Sequence, residues 1–112
     1  MTRYLISFDD GAMNFPEEDL PDVAEAAHAV LHEAKAAGAW VTGGGIQGHD
    51  ADIVGTDGSV TSAAYPGSKP HIGGFSIIEV SSHDEALRWA AKFATACRCA
   101  QEVREIMDDP EA

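Results

Sequence analysis

Nowhere does this chain of 112 residues hold a run approaching the ~20 apolar residues that a membrane-spanning helix needs. Basic residues are scarce as well. Seven lysines and arginines stand against 19 acids, for a formal net charge of -12. Binding to nucleic acid or to an anionic membrane surface draws on a basic patch, and none is visible, so neither partner is expected. The acidity, concentrated in Glu17-Glu18-Asp19 and Asp108-Asp109-Pro110-Glu111, reads as a contribution to solubility. Cysteine is limited to Cys97 and Cys99, and a bridge between residues two apart closes a small ring of poor geometry. Met1-Thr2-Arg3 leads directly into a short strand pattern with no leader-like apolar region. A cytoplasmic protein with reduced thiols is therefore expected. The triple glycine Gly43-Gly44-Gly45 lacks the Gly-Lys-Ser/Thr that completes a phosphate loop, which argues against nucleotide binding.

What is present is the material of one domain, 1–107, with a frayed acidic tail at 108–112; its length suffices for a core without staples. The clearest segment is 71–93. Phe75 to Val80 is rich in β-branched and aromatic residues and is bounded by Gly73-Gly74 and Ser81-Ser82. Being nearly all apolar, it reads as a central strand buried on both faces. Ser82, three residues before Glu85, has the spacing of a capping box, with the glutamate reaching back to the Ser82 N–H. A helix is expected over 83–96, with Ala86, Trp89, Ala90 and Phe93 on one side.

The other elements read in the same way. Tyr4 to Phe8 alternates as a strand with Tyr4, Ile6 and Phe8 on one face. A helix over 21–37 places Leu20, Val23, Ala27, Val30, Leu31 and Ala34 on one stripe, with Gly38 as its stop. A strand at 39–42 ends in the glycines, and a hairpin at 51–61 turns at Asp57-Gly58. A last strand covers 100–107. The order β-α-β, hairpin, β-α-β is an α+β split βαβ plan with two helices on one face of an antiparallel sheet. Its other face is left bare, and the natural remedy is a homodimer stacked face to face.

Tyr4-Leu5-Ile6, residues 36–45 (AAGAWVTGGG), residues 69–75 (KPHIGGF), residues 84–90 (DEALRWA) and Glu102-Val103-Arg104 together resemble the YCII-related family, most closely its DGPF branch. That resemblance implies a ferredoxin-like fold that pairs into a dimeric α/β barrel. Family chemistry includes dehydrochlorination of a substituted hydroquinone, and a His–Asp pair as the centre of one type. Here the Asp expected after Trp89-Ala90 is replaced by Ala91-Lys92-Phe93, and the DGPF signature by Ser62-Ala63-Ala64-Tyr65.

Several residues could carry chemistry. His28 and His32, four apart, share one face of the first helix. They read either as a general base or metal pair or as ordinary exposed residues. A metal needs a third ligand that the spacing does not supply, so none is expected. His71 lies beside Gly73-Gly74, where a ligand could approach the backbone; with Lys69 and Tyr65 it offers an imidazole, a cation and a phenol within seven residues. That set suits a small phenolic or carboxylate ligand, although the segment reads first as a loop packing over the sheet edge with solvated polar groups. His49-Asp50 and Asp52 are a weaker metal suggestion. Arg98 beside the cysteines would favour thiolate, but two sulfurs without other ligands nearby read first as small buried side chains. Two functions are weighed. One is an enzyme without a cofactor, doing proton transfer or elimination with His71 or His28 as acid/base and Tyr65, Lys69 and His32 holding the ligand. The other is a non-catalytic ligand-binding or accessory module.

Overall fold

The computed structural model describes residues 1–47, 51–62 and 72–112. Strand β1 (Thr2–Asp9) is followed by a 3-10 turn (Glu17–Asp19) and helix α1 (Leu20–Ala36). Then come β2 (Trp40–Gly45), the two short strands β3 (Ile53–Val54) and β4 (Val60–Thr61), β5 (Ile72–Val80), α2 (His83–Cys97) and β6 (Glu102–Glu105). The main sheet has the order β2-β5-β1-β6, antiparallel throughout, and β3-β4 forms a separate hairpin. This is the α+β split plan: each helix connects two strands between which a third is inserted.

Alternation along β1 decides the layers. Tyr4 and Ile6 point toward the helices and are 2% and 1% exposed. Across from them lie Ile78 of β5 and Val103 of β6. Ala34 of α1 and Ala86, Trp89, Ala90 and Phe93 of α2 complete the core, and Trp40 packs against it with its ring centroid 6.2 Å from that of Phe93. Small alanines on the inner helix faces bring the helices close to the sheet.

The helix ends show why the chain turns where it does. At the end of α1 the Ala39 N–H bonds to the Ala34 carbonyl and the Gly38 N–H to that of Lys35, with Gly38 at φ 75. This double closure uses the left-handed conformation that glycine adopts without steric cost. At the start of α2 the Glu85 N–H donates to Ser82 Oγ at 3.1 Å, as a cap should. The glutamate, however, reaches one residue further back than expected. Its Oε2 accepts from the Ser81 N–H and hydroxyl instead of the Ser82 N–H.

Other details differ from the pattern-based reading. Leu20 is exposed and not part of the α1 stripe, because it opens the helix beyond the edge of the core. β2 runs through all three glycines, and β5 begins at Ile72, before its glycine pair. β6 is shorter than expected: Glu102–Glu105 pair in register with β1, and beyond them a single bond runs from the Ile106 N–H to the Arg3 carbonyl at 2.9 Å. β5 is central but deeply buried on its helix-facing side only. Its outward residues Phe75 and Ile77 are half-buried within this chain.

Candidate functional site

Register places Arg3, Leu5 and Ser7 of β1, Phe75, Ile77 and Glu79 of β5, Thr42 of β2, and Glu102 and Arg104 of β6 on the sheet face away from the helices. Ser7 lies between Phe75 and Glu102, Leu5 between Ile77 and Arg104, and Arg3 beside Glu79. The face is therefore an apolar centre framed by charges and not a uniformly apolar surface. Arg104 and Glu102 pair with each other along β6. Ser7 is 4% exposed, so its hydroxyl is shielded by its neighbours even on this uncovered side.

The glycines near this face have a packing explanation. A Cβ on Gly74 would lie 2.6 Å from Phe8 Cζ, and one on Gly73 would lie 2.8 Å from Phe8 Cε2. The Phe8 ring thus occupies the space that the glycine pair leaves, on the helix side of the sheet. Trp40 does the same over Gly43, where a Cβ would meet its Cη2 at 2.8 Å and the Phe75 carbonyl oxygen at 2.5 Å. Aromatic rings of the same chain, not a ligand, make the close backbone approach at these three positions.

Tyr65, Lys69 and His71 lie outside the described residues, as do His49 and Asp50. Of that neighbourhood, Asp52 is described and its Oδ1 accepts from the Ser62 hydroxyl at 3.0 Å. His28 and His32 sit on the side of α1 turned away from the core, both exposed. Neither bonds to another described residue. Among the described residues no cluster of three or more His, Cys, Asp or Glu is placed to hold a metal.

Of the two readings of the cysteines, the structure supports small packed side chains over thiolates: Cys97 is buried and Cys99 half-buried. Burial pushes the Cys97 thiol up, reinforced by the neighbouring Cys99. Burial also raises Cys99, opposed by the Gln101 side-chain amide near its sulfur. The Arg98 guanidinium is engaged elsewhere, 2.8 Å from Asp19 Oδ2 and over the Phe15 ring. Both sulfurs are therefore held as thiols, and Arg98 serves to tie the end of α2 to the segment before α1.

One grouping escaped the sequence pattern. The Tyr4 phenol donates to Glu105 Oε1 at 3.5 Å, and the Tyr4 ring lies 5.8 Å from that of His83. Burial first, then the Glu105 charge and hydrogen bond, raise the Tyr4 pKa above its ordinary value, so the group remains a protonated donor. These residues are 22 to 101 positions apart in sequence, and only the β1–β6 register together with the start of α2 brings them together. On the outer side, a shallow depression of about 570 Å³ runs between α1 and α2, lined by Ala26, Ala29, Val30, Thr95 and the paired Glu33 and Lys92.

With this geometry in place, comparison with known proteins gives three findings. No curated protein matches the chain. Among solved structures, the fold resembles that of 5-chloro-2-hydroxyhydroquinone dehydrochlorinase (TftG) from Burkholderia phenoliruptrix AC1100 in complex with 2,5-dihydroxybenzoquinone. The TM-score is 0.56 at 20% identity, over 99% of this chain and 98% of the other, a likeness of fold. The sequence pattern of the YCII-related domain matches residues 3–109, nearly end to end, and the chain belongs to that family.

Proposed function

We propose that this protein is a small-molecule enzyme that works without a cofactor, doing proton transfer or elimination on a phenolic or carboxylate substrate. The reading also places it in the DGPF branch, in the cytoplasm, and as a homodimer closed into an α/β barrel. The observation that carries the chemistry is the end-to-end likeness of fold to a dehydrochlorinase captured with a dihydroxybenzoquinone. His71 or His28 would serve as acid/base, with Tyr65, Lys69 and His32 orienting the ligand. An imidazole suits that role because its ordinary pKa lies near neutrality.

The dimer is supported by the shape of the single chain. Its extents are 44 × 43 × 19 Å, a slab two layers thick. Its radius of gyration is 15.7 Å, against about 13 Å for a compact domain of this length. A second copy laid on the bare sheet face would cover Leu5, Phe75 and Ile77.

The test is turnover of 5-chloro-2-hydroxyhydroquinone, followed by chloride release. Activity that falls on the order of 100-fold or more in His71→Ala or His28→Ala supports acid/base catalysis. The second reading, a ligand-binding module, is favoured by the exposure of His28 and His32. It predicts calorimetric binding of 2,5-dihydroxybenzoquinone with no turnover and no loss in the histidine variants. A protein that neither binds nor converts either compound contradicts both readings of the substrate class.

A further inference from the structure

One row across the main sheet departs from the rows beside it. On the face away from the helices, register aligns Gly44 of β2, Phe75 of β5, Ser7 of β1 and Glu102 of β6. The next row holds Thr42, Ile77, Leu5 and Arg104. Phe75 therefore stands between two positions with little or no side chain. At Gly44 a Cβ would meet nothing within 4 Å, so the space beside the ring is open. On the ring's other side lies Ser7, 4% exposed, whose hydroxyl bonds to no described residue. Among the described residues every fully enclosed side-chain nitrogen or oxygen has a partner. The Ser7 oxygen, shielded as it is, therefore still reaches the outer face. A hydroxyl set in an apolar floor is costly unless something arrives to bond it.

We infer that this row is a subsite for a neutral, hydroxyl-bearing aromatic ring, with the ring against Phe75 and its hydroxyl on Ser7 Oγ. The inference rests on the small-molecule reading above and selects the phenolic class over the carboxylate one. Shape favours a planar ring, because a slot with one aromatic wall and a glycine floor admits offset stacking. Polarity agrees: serine offers one donor and two acceptor lone pairs, which match a phenol that both donates and accepts. Charge decides against a carboxylate. Arg104 is paired with Glu102, and Arg3 stands across from Glu79. Both described cations of this face are thus matched, and the chain as a whole carries a formal charge of -12. A carboxylate brought onto an apolar floor without a counter-charge loses more hydration than one neutral hydroxyl returns. The second copy of the proposed dimer would supply the roof that excludes water.

The experiment is calorimetric titration at pH 7 with hydroquinone, kept under argon, and with benzoate as the anionic comparison. Two variants are read beside the wild type, each with a thermal melt. Ser7→Ala removes the hydroxyl, and Gly44→Val fills the open space with a residue that suits a strand. Ser7→Ala should leave the melting midpoint unchanged or raised, because the hydroxyl it removes bonds to no described residue. The expected result is hydroquinone binding weakened about three- to tenfold by Ser7→Ala and lost in Gly44→Val, with benzoate the weaker ligand of the wild type. Equal hydroquinone affinity in wild type and Ser7→Ala overturns the subsite but leaves a phenolic ligand bound elsewhere in the protein. A lowered midpoint in Ser7→Ala makes the hydroxyl a structural group and also overturns it. Benzoate bound more tightly than hydroquinone overturns the choice of class and leaves the carboxylate half of the functional reading. A wild-type protein that binds neither overturns the subsite and both substrate classes together.

Discussion

The glycines are where residue-level geometry has consequences that composition does not announce. At Gly43 a methyl group would meet the backbone oxygen of Phe75 at 2.5 Å, an atom fixed by the ladder between β2 and β5. At Gly45, two residues along the same strand, nothing lies within 4 Å. Gly43→Ala is expected to destabilise the fold by about 1–3 kcal/mol through overpacking. Gly45→Ala should be neutral or mildly stabilising, because glycine in a strand carries an entropic cost. Urea unfolding of the two variants reads the contrast directly, and equal midpoints would remove this account of the glycine run. In the sequence, Gly73-Gly74 looks like an opening for a ligand, whereas Gly43-Gly44-Gly45 reads only as a run that is not a phosphate loop. Which ring lies over which Cα depends on Phe8 and Trp40 being carried there by the sheet register, which no local pattern specifies.

At the scale of the element, α2 shows how much of the fold was legible and where legibility stopped. The Ser82–Glu85 spacing, the Trp89/Phe93 side and the strand before the helix follow from periodicity and capping rules, because both act within a few residues. The same holds for Gly38 as the stop of α1. The redirected Glu85 contact and the Tyr4–Glu105–His83 grouping were not legible: one depends on the path of the turn, the other on pairing between chain ends. The candidate site was the least legible part. His28 and His32 are correctly read as sharing a helix face, while Tyr65, Lys69 and His71 lie outside the described residues. The cap itself gives a prediction. Hydrogen bonds from the Ser81 hydroxyl and N–H hold the Glu85 carboxyl below its ordinary value, assisted by Arg88 and opposed by burial. A lowered folded-state pKa means that its stabilisation is present above the ordinary glutamate value and is lost as pH falls through the folded one. Glu85→Gln should therefore flatten the acid side of the stability profile while leaving its neutral-to-alkaline shape unchanged. Ser82→Ala, which removes the cap from the Glu85 N–H, should cost about 1 kcal/mol at any pH. Thermal melts from pH 3 to pH 8 distinguish the two; parallel acid limbs for wild type and Glu85→Gln would contradict the assignment.

For the whole molecule, charge and shape pull in opposite directions. A bare sheet face with Leu5, Phe75 and Ile77 at its centre favours association, because burying that surface releases water from apolar side chains. Yet each copy carries a formal charge of -12, so two copies repel through the surface charge they share. The balance depends on ionic strength, since the screening length is ~30 Å at 0.01 M salt and ~8 Å at 0.15 M. If the apolar centre is the main attraction, adding salt screens the repulsion and leaves the attraction intact. The proposed dimer should then tighten severalfold between low salt and 0.3 M sodium chloride. If instead Arg3 and Arg104 reach across to the partner's carboxylates, salt should loosen it, because those pairs are screened as well. Sedimentation at several salt concentrations decides between these, and the sign of the slope identifies the force that would hold the two copies of the proposed dimer together. The apolar reading is the stronger one: Arg104 is already matched with Glu102 within its own strand, so closing the interface gains little from that charge.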